Sequence, residues 1–381
     1  MGIELLFLLL PVAAFSGWLL GRGSAKRTHG KDCPPQMNSR YFQGLNYLLD
    51  ERPDAALDVF IGISELDSES VEIQFALASL FLRRGEVERA IRIHQNLIAR
   101  PTLSTPHRRQ ALYALGMDYM SAGLLDRAEN LFRDLLNDPV HGSDSHKQLL
   151  DIFQQEKEWE KAIDVAQRIR GVKAANMAAV VAQYYCELAE QMLSTSDLGQ
   201  AGKCLRRAVD WDKNCVRASL LEAQLASRQG LYGQAIRSCK RVEQQDPDYL
   251  PLILEPLEQA YQQLGQGSEY RAYLESLVQR HHSPTLVEPL VRLWLKRGDT
   301  QRAEGMVRQS LANQPSLQGL SCLLEVVSGQ SSDQQWQQLR DVTSRLLQSN
   351  ARFQCRQCGY QGRSMLWQCP GCKQWNSIKP V

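Results

Sequence analysis

Four of the chain's ten cysteines crowd into its last 27 residues, and their spacing is the sharpest chemical signal in the sequence. Cys355 and Cys358 form one C-x-x-C knuckle, Cys369 and Cys372 a second, with ten residues between. Two such pairs place four thiolates at the corners of a tetrahedron, the geometry that Zn²⁺ takes in closed sites. Gly359 supplies the backbone freedom that aims amides at the sulfurs, and Pro370 stiffens the second turn. A segment of about 30 residues is too short for a core of its own. A structural metal supplies the missing free energy, on the order of 10 kcal/mol or more. Four-thiolate sites also hold a single iron, so zinc and iron both stay open. The competing pair of disulfides does not suit a reducing compartment.

The knuckles C-x-x-C-G-Y and C-P-x-C resemble rubredoxin. The link between them is much shorter than in a free-standing rubredoxin, and Lys373 replaces the usual glycine of the second knuckle. Both departures favour a structural role over electron transfer. Phe353, Tyr360, Trp367 and Trp375 are expected to close the small domain or dock it onto the rest of the chain. Five basic residues (Arg352, Arg356, Arg363, Lys373 and Lys379) stand here without any Asp or Glu. They are expected to offset the net −2 of a four-thiolate divalent site or to pair with acidic helices; binding of RNA is the alternative.

Something larger must carry this knuckle, and the middle of the chain repeats. An alanine is followed four residues on by a second packing residue: Ala56 with Phe60, Ala90 with His94, Ala128 with Phe132, Ala162 with Ala166, Ala201 with Leu205, Ala235 with Cys239 and Ala303 with Val307. The alanines step by 34, 38, 34, 39, 34 and 68. Twelve residues before them stand Gly44, Ala78, Gly116, Ala189 and Ala223, with Leu150 and Val291 as exceptions. Gly85, Gly123, Gly230 and Gly298 precede an alanine by five, where a turn between helices needs positive φ. Pro101, Pro139, Pro247 and Pro315 end units. The pattern resembles the tetratricopeptide repeat and implies eight or nine helix pairs over residues 37–350, stacked as an all-α solenoid with a concave face. Residues 252–280 and 317–350 lack the alanine, with Tyr270 and Trp336 near its place. Tyr119, Tyr184, Trp211 and Trp294 are expected in the core. The architecture suits protein binding, with a mere spacer as the lesser reading.

From Leu5 to Gly21 no residue is charged, and 17 residues of helix span roughly 25 Å, close to the hydrocarbon thickness of a bilayer. No Lys or Arg precedes this run, whereas Arg22, Lys26, Arg27 and Lys31 follow it. That order favours a retained anchor over a cleaved signal, with the N-terminus periplasmic and the remainder cytoplasmic. The expected organisation is therefore an anchor at 1–21, a basic tether at 22–36, repeats at 37–350 and the metal domain at 351–381. The six scattered cysteines agree with a reducing compartment. A charged fraction of 23% with net charge +2 argues against a nucleic-acid-coating protein, and a mean hydropathy of −0.36 excludes a polytopic membrane protein. No phosphate-binding loop, H-E-x-x-H or G-x-S-x-G is present, and His281–His282 reads as a polar loop. No nucleophile and base are legible together, so a non-enzymatic protein is expected.

The combination of anchor, repeats and terminal knuckle resembles the lipopolysaccharide assembly protein B (LapB/YciM) family of Gram-negative bacteria over essentially the whole chain. Its most specific local match is C-P-G-C-K-Q-W-N-S-I-K-P, from Cys369 to Pro380. The resemblance implies an inner-membrane adaptor that restrains lipopolysaccharide synthesis by promoting degradation of the deacetylase LpxC. The protease it implies is FtsH, opposed by a YejM/PbgA-type membrane regulator. It carries Cys355, Cys358, Cys369 and Cys372 over as metal ligands, and the anchor as a contact with membrane partners. An electron-transfer protein on a helical scaffold is the alternative.

Overall fold

Side-chain volume at a few recurring positions decides how the helices meet. The computed structural model describes residues 35–50, 52–66, 70–169, 172–281, 283–330 and 334–381. The apolar run Leu5–Gly21 and its orientation therefore lie outside the described residues. Among those residues, no helix is long and apolar enough to cross a membrane. Two compact units form, one ending at Leu149 and the other running from Leu150 to Val381.

The first unit holds α1 (Pro35–Leu49), α2 (Pro53–Leu66), α3 (Val71–Arg83), α4 (Val87–Ala99), α5 (Thr105–Ser121), α6 (Leu125–Asp134) and the start of α7 (Gly142–Glu156). The second completes α7 and continues through α8 (Trp159–Arg168), α9 (Val172–Ser194), α10 (Leu198–Trp211), α11 (Val216–Arg228) and α12 (Tyr232–Gln245). After a 3₁₀ turn at Pro247–Tyr249 come α13 (Leu250–Gln263), α14 (Gly267–His281), α15 (Pro284–Lys296), α16 (Thr300–Asn313), α17 (Leu317–Gln330) and α18 (Gln334–Ser349). The described helices thus follow one another as nine pairs, and the two stretches lacking the alanine are hairpins as well. Tyr270 takes the alanine's place in α14, buried, with its hydroxyl donating to the Leu254 carbonyl at 3.2 Å.

Within a pair, the residue twelve before the alanine trades volume with the residue four after it. Gly44 faces Phe60 and Gly116 faces Phe132, so closely that a Cβ on either glycine would stand 2.8 Å from the ring. Both phenylalanines are fully buried. Where the first residue is large, the second shrinks: Leu150 goes with Ala166 and Val291 with Val307, all buried. The two apparent exceptions in the repeat are therefore the same constraint met from the other side, because a close-packed interior conserves total volume.

The turns inside the pairs obey one geometry. The four expected glycines have φ between 73° and 80°. Lys157 and Ser196 stand at the same place with φ of 59° and 64°. The next residue donates its N–H to the carbonyl five positions back, whether the turn holds glycine (Glu86 to Phe81, 2.8 Å) or not (Glu158 to Phe153, 2.9 Å). That bond satisfies a helix-end carbonyl and outweighs the left-handed strain, roughly 1–2 kcal/mol for a residue with a Cβ.

Of the four aromatics expected in the core, Tyr119, Tyr184 and Trp294 are buried, whereas Trp211 is 39% exposed at the end of α10. Helical spacing alone does not distinguish the last turn, where the stripe runs out past the neighbouring helix. His281 also departs from a loop: it ends α14 and bonds Glu243 at 3.0 Å, while His282 lies outside the described residues. Beyond α18 the chain forms a three-stranded antiparallel sheet, β1 (Phe353–Cys355), β2 (Gln361–Gly362) and β3 (Ile378–Pro380), in the order β2-β1-β3. Phe353 pairs with Gly362, and Cys355 with Ile378.

Replacing Gly116 by Leu forces the Phe132 ring aside, at a cost of about 1–3 kcal/mol, and lowers the thermal midpoint by about 2–10 °C. The double variant Gly116→Leu/Phe132→Ala, which copies the Leu150 and Ala166 arrangement, recovers most of that loss in calorimetry.

Candidate metal centre

Sheet register and two tight turns bring the four terminal thiols together. Cys355 closes β1, and its carbonyl accepts the N–H of Gly359, whose φ is 76°. The second knuckle repeats the device: the Lys373 N–H reaches the Cys369 carbonyl at 2.8 Å, and Lys373 itself sits at φ 60°. Lysine in place of the expected glycine thus keeps the left-handed turn and pays its strain, roughly 1–2 kcal/mol.

All four Sγ atoms lie within 4.8 Å of one another. Cys355 and Cys372 stand 3.7 Å apart, Cys358 and Cys369 3.5 Å. These separations are far too long for a disulfide and near the tetrahedral edge of about 3.8 Å that a Zn–S distance of about 2.3 Å requires. The donor set therefore fits one metal ion held by Cys355, Cys358, Cys369 and Cys372. Cys355 and Cys369 are buried, Cys372 half-buried and Cys358 exposed.

The thiols are electrostatically unequal. Ser377 Oγ, 3.4 Å from Cys355 Sγ, does most to draw that thiol down to about 6; burial opposes it, and the backbone N–H groups of Cys358 and Gln357 assist. At Cys358 the Tyr360 N–H pulls downwards, yet Cys369, burial and the other two thiols together push it up to about 11. Four like anions cannot ionise side by side at neutral pH, and a divalent cation is the group that removes this conflict.

The sheet does not stand free. Trp375 lies edge-on to Trp159 and Tyr184, at ring separations of 6.3 and 6.0 Å. Gln154 of α7 accepts from Trp375 Nε1 at 3.0 Å and from Gln368 at 2.9 Å. Gln183 of α9 donates to Asn376 Oδ1 at 2.9 Å. The buried Tyr249 hydroxyl is shared between the carbonyls of Asn376 and Ile378, at 3.2 and 3.1 Å. Its ring packs on Trp367 at 5.5 Å and lies 3.9 Å beneath the Lys379 ammonium, which pairs with Asp246. Arg217 of α11, 2% exposed, is held by Glu187 and Glu190 at 2.9 and 3.0 Å, with its guanidinium 5.8 Å from the Trp367 ring. Most of these contacts come from the first helices of successive pairs.

Of the two roles open to the four aromatics, Trp367 and Trp375 take docking and Phe353 packs inside the domain, while Tyr360 is 37% exposed. Of the five basic residues, Lys379 has an acidic partner; Arg352, Arg356, Arg363 and Lys373 are exposed and form no ion pair among the described residues. The helical side of this seat escapes sequence reasoning, because Gln183 and Asn376 are 193 positions apart and Gln154 and Trp375 are 221 apart. The one local hint is a polar residue set among apolar neighbours: Gln183 in V-V-A-Q-Y-Y-C and Arg217 between Val216 and Ala218.

Comparison with known proteins places this geometry in context. Residues 353–380 match a family model described as a rubredoxin metal binding domain, and residues 75–106 match one for the tetratricopeptide repeat. The chain is 35% identical to lipopolysaccharide assembly protein B of Escherichia coli strain K12 over 383 residues, covering 100% of this chain and 98% of that one. It is 34% identical to the protein of that name from Haemophilus influenzae over 391 residues, with the same coverage. Among solved structures, the C-terminal part of a repeat-containing protein of Cytophaga hutchinsonii aligns with 74% of this chain and 99% of its own, at 13% identity and a TM-score of 0.39.

Two outcomes test the centre. Cys355→Ser with Cys358→Ser abolishes bound metal in elemental analysis and lowers the unfolding midpoint of the unit from Leu150 onward, since the domain loses its metal-derived stability. Protons compete with metal for the four sulfurs, so metal retention falls as the pH is lowered, read as release to a coloured chelator.

Proposed function

The chain belongs to the lipopolysaccharide assembly protein B family, and from that premise we propose that it is a non-enzymatic adaptor in lipopolysaccharide assembly at the inner membrane. Similarity across the whole length, rather than to the repeats alone, is the observation that carries this reading. In the proposed organisation residues 1–21 anchor the chain, 22–36 tether it, 37–350 form the repeats and 351–381 the metal domain. The adaptor would bring the deacetylase LpxC to the membrane protease FtsH, with a YejM/PbgA-type regulator opposing it. A tether raises local concentration without any new contact, which is the physical gain of anchoring an adaptor beside a membrane protease.

The four thiolates would hold zinc or iron. Their place in the molecule supports a structural role: the domain meets α7, α9, α11 and the 3₁₀ turn through Trp375, Gln183, Arg217 and Tyr249, so metal binding stiffens the surface of those helices. The metal would supply folding free energy and the neutralisation of four thiolates, while the helices supply the seat.

The lifetime of the deacetylase in cells lacking this protein tests the proposal. A longer lifetime, restored by the full chain but not by a chain without residues 1–21, is expected. An unchanged lifetime excludes the adaptor role.

A further inference from the structure

Beneath the seat of the metal domain lies a pair of thiols that the four-cysteine centre does not use. Cys186 of α9 and Cys215, which stands just before α11, are both buried, and their Sγ atoms are 3.8 Å apart. Both are free. That separation is sulfur–sulfur contact without a bond, and a disulfide needs it shortened to about 2.05 Å, a change within reach of rotations about the two Cα–Cβ bonds. Gln183 connects the pair to the domain above it. Its Nε2 donates to Cys215 Sγ at 3.4 Å and to Asn376 Oδ1 at 2.9 Å.

The two sulfurs are chemically unequal. A hydrogen bond from Cys186 does most to draw Cys215 below the ordinary thiol range; burial opposes it, and the Ala218 N–H and the Arg217 charge assist. Burial and the neighbouring Cys215 sulfur push Cys186 well up. Cys239 and Cys322 lack this help, and burial pushes both up to about 12. A sulfur that releases its proton beside one that keeps it is the layout of an attacking thiolate with a resolving thiol.

We propose that Cys186 and Cys215 form a reversible oxidation site, closed to a disulfide by hydrogen peroxide. In the first step the Cys215 sulfur attacks one peroxide oxygen. An S–O bond forms, the O–O bond breaks, and the departing hydroxide becomes water with the proton that Cys215 gave up. In the second step the Cys186 sulfur attacks the Cys215 sulfur of this sulfenic acid. The S–S bond forms, the S–O bond breaks, and the hydroxide takes the Cys186 proton as a second water. The two thiols lose two electrons and one peroxide is reduced to two waters. Peroxide is little larger than water and enters through local openings of the helices, so burial slows the reaction without forbidding it. Burial also keeps other thiols away from the sulfenic acid, which leaves Cys186 to resolve it. The bond moves Cys215 off Gln183 and ties α9 to α11 directly below the domain. Thiol reductants reopen it, as a transient disulfide in a reducing compartment requires.

The test treats the metal-loaded full chain, in detergent micelles, with hydrogen peroxide, then alkylates and digests it with trypsin for mass spectrometry. Cleavage at lysine and arginine puts Cys186 in residues 174–203 and Cys215 in residues 214–217. The two fragments are expected joined, lighter by two hydrogens than their sum, and separate again after dithiothreitol. Cys186→Ser halts the reaction at the Cys215 sulfenic acid, trapped with dimedone, and Cys215→Ser leaves Cys186 a thiol. Cys239 and Cys322 react about tenfold more slowly or less. Helical circular dichroism of both variants matches that of the parent chain. A pair that stays reduced, that oxidises no faster than Cys239 and Cys322, or whose Cys186 reacts as readily without Cys215, overturns the proposal.

Discussion

A terminal segment of about 30 residues cannot bury enough surface to fold alone, and much of the second unit is arranged around that deficit. The segment has two sources of order, the metal between its knuckles and the seat on the helices. Each needs the other. Without the seat, two tryptophans would face water; without the four-cysteine cluster, the turns that present Trp375 and Asn376 would have no fixed geometry. The cysteine cluster is therefore part of the packing of the helical unit and not an appendage to it.

The seat is polar as well as aromatic, and that carries a cost. Arg217 is buried and stays tolerable only because two glutamates and Gln183 surround it. Trp159 Nε1 and the Tyr184 hydroxyl are buried with no hydrogen-bond partner among the described residues. Each such group costs about 1–3 kcal/mol. Apolar contacts alone are non-directional, whereas Gln154, Gln183 and Tyr249 meet particular donors and acceptors on the domain. The arrangement exchanges stability for a defined docking register of the domain.

In the helical array a similar economy of space appears at the pairs of Phe60, Phe132, Ala166 and Val307. Glycine beside phenylalanine and leucine beside alanine are two solutions of one volume equation, and the turns show that lysine or serine can stand where glycine is usual when the helix-end hydrogen bond is kept. The repeat is a rule about sums and angles, and individual residue types are free to vary under it.

Local physics made much of this legible. The 34-residue period, the position of the inter-helix turns and the four clustered cysteines follow from short-range spacing, where a helix turn or a C-x-x-C knuckle leaves few geometries open. Their limits were local too. Helical spacing placed Trp211 in the core although it caps an exposed helix end, and it marked Leu150 and Val291 as exceptions because the residue that compensates each lies sixteen positions on. Only the tertiary structure decided where the metal domain sits, that among the described residues Lys379 alone of its five bases meets a carboxylate, and that Gln154, Gln183, Arg217 and Tyr249 receive it. Those partners are more than 120 residues away along the chain, and nothing in a window of sequence records which distant surface will arrive opposite a given side chain. Packing of the intervening helices makes that choice.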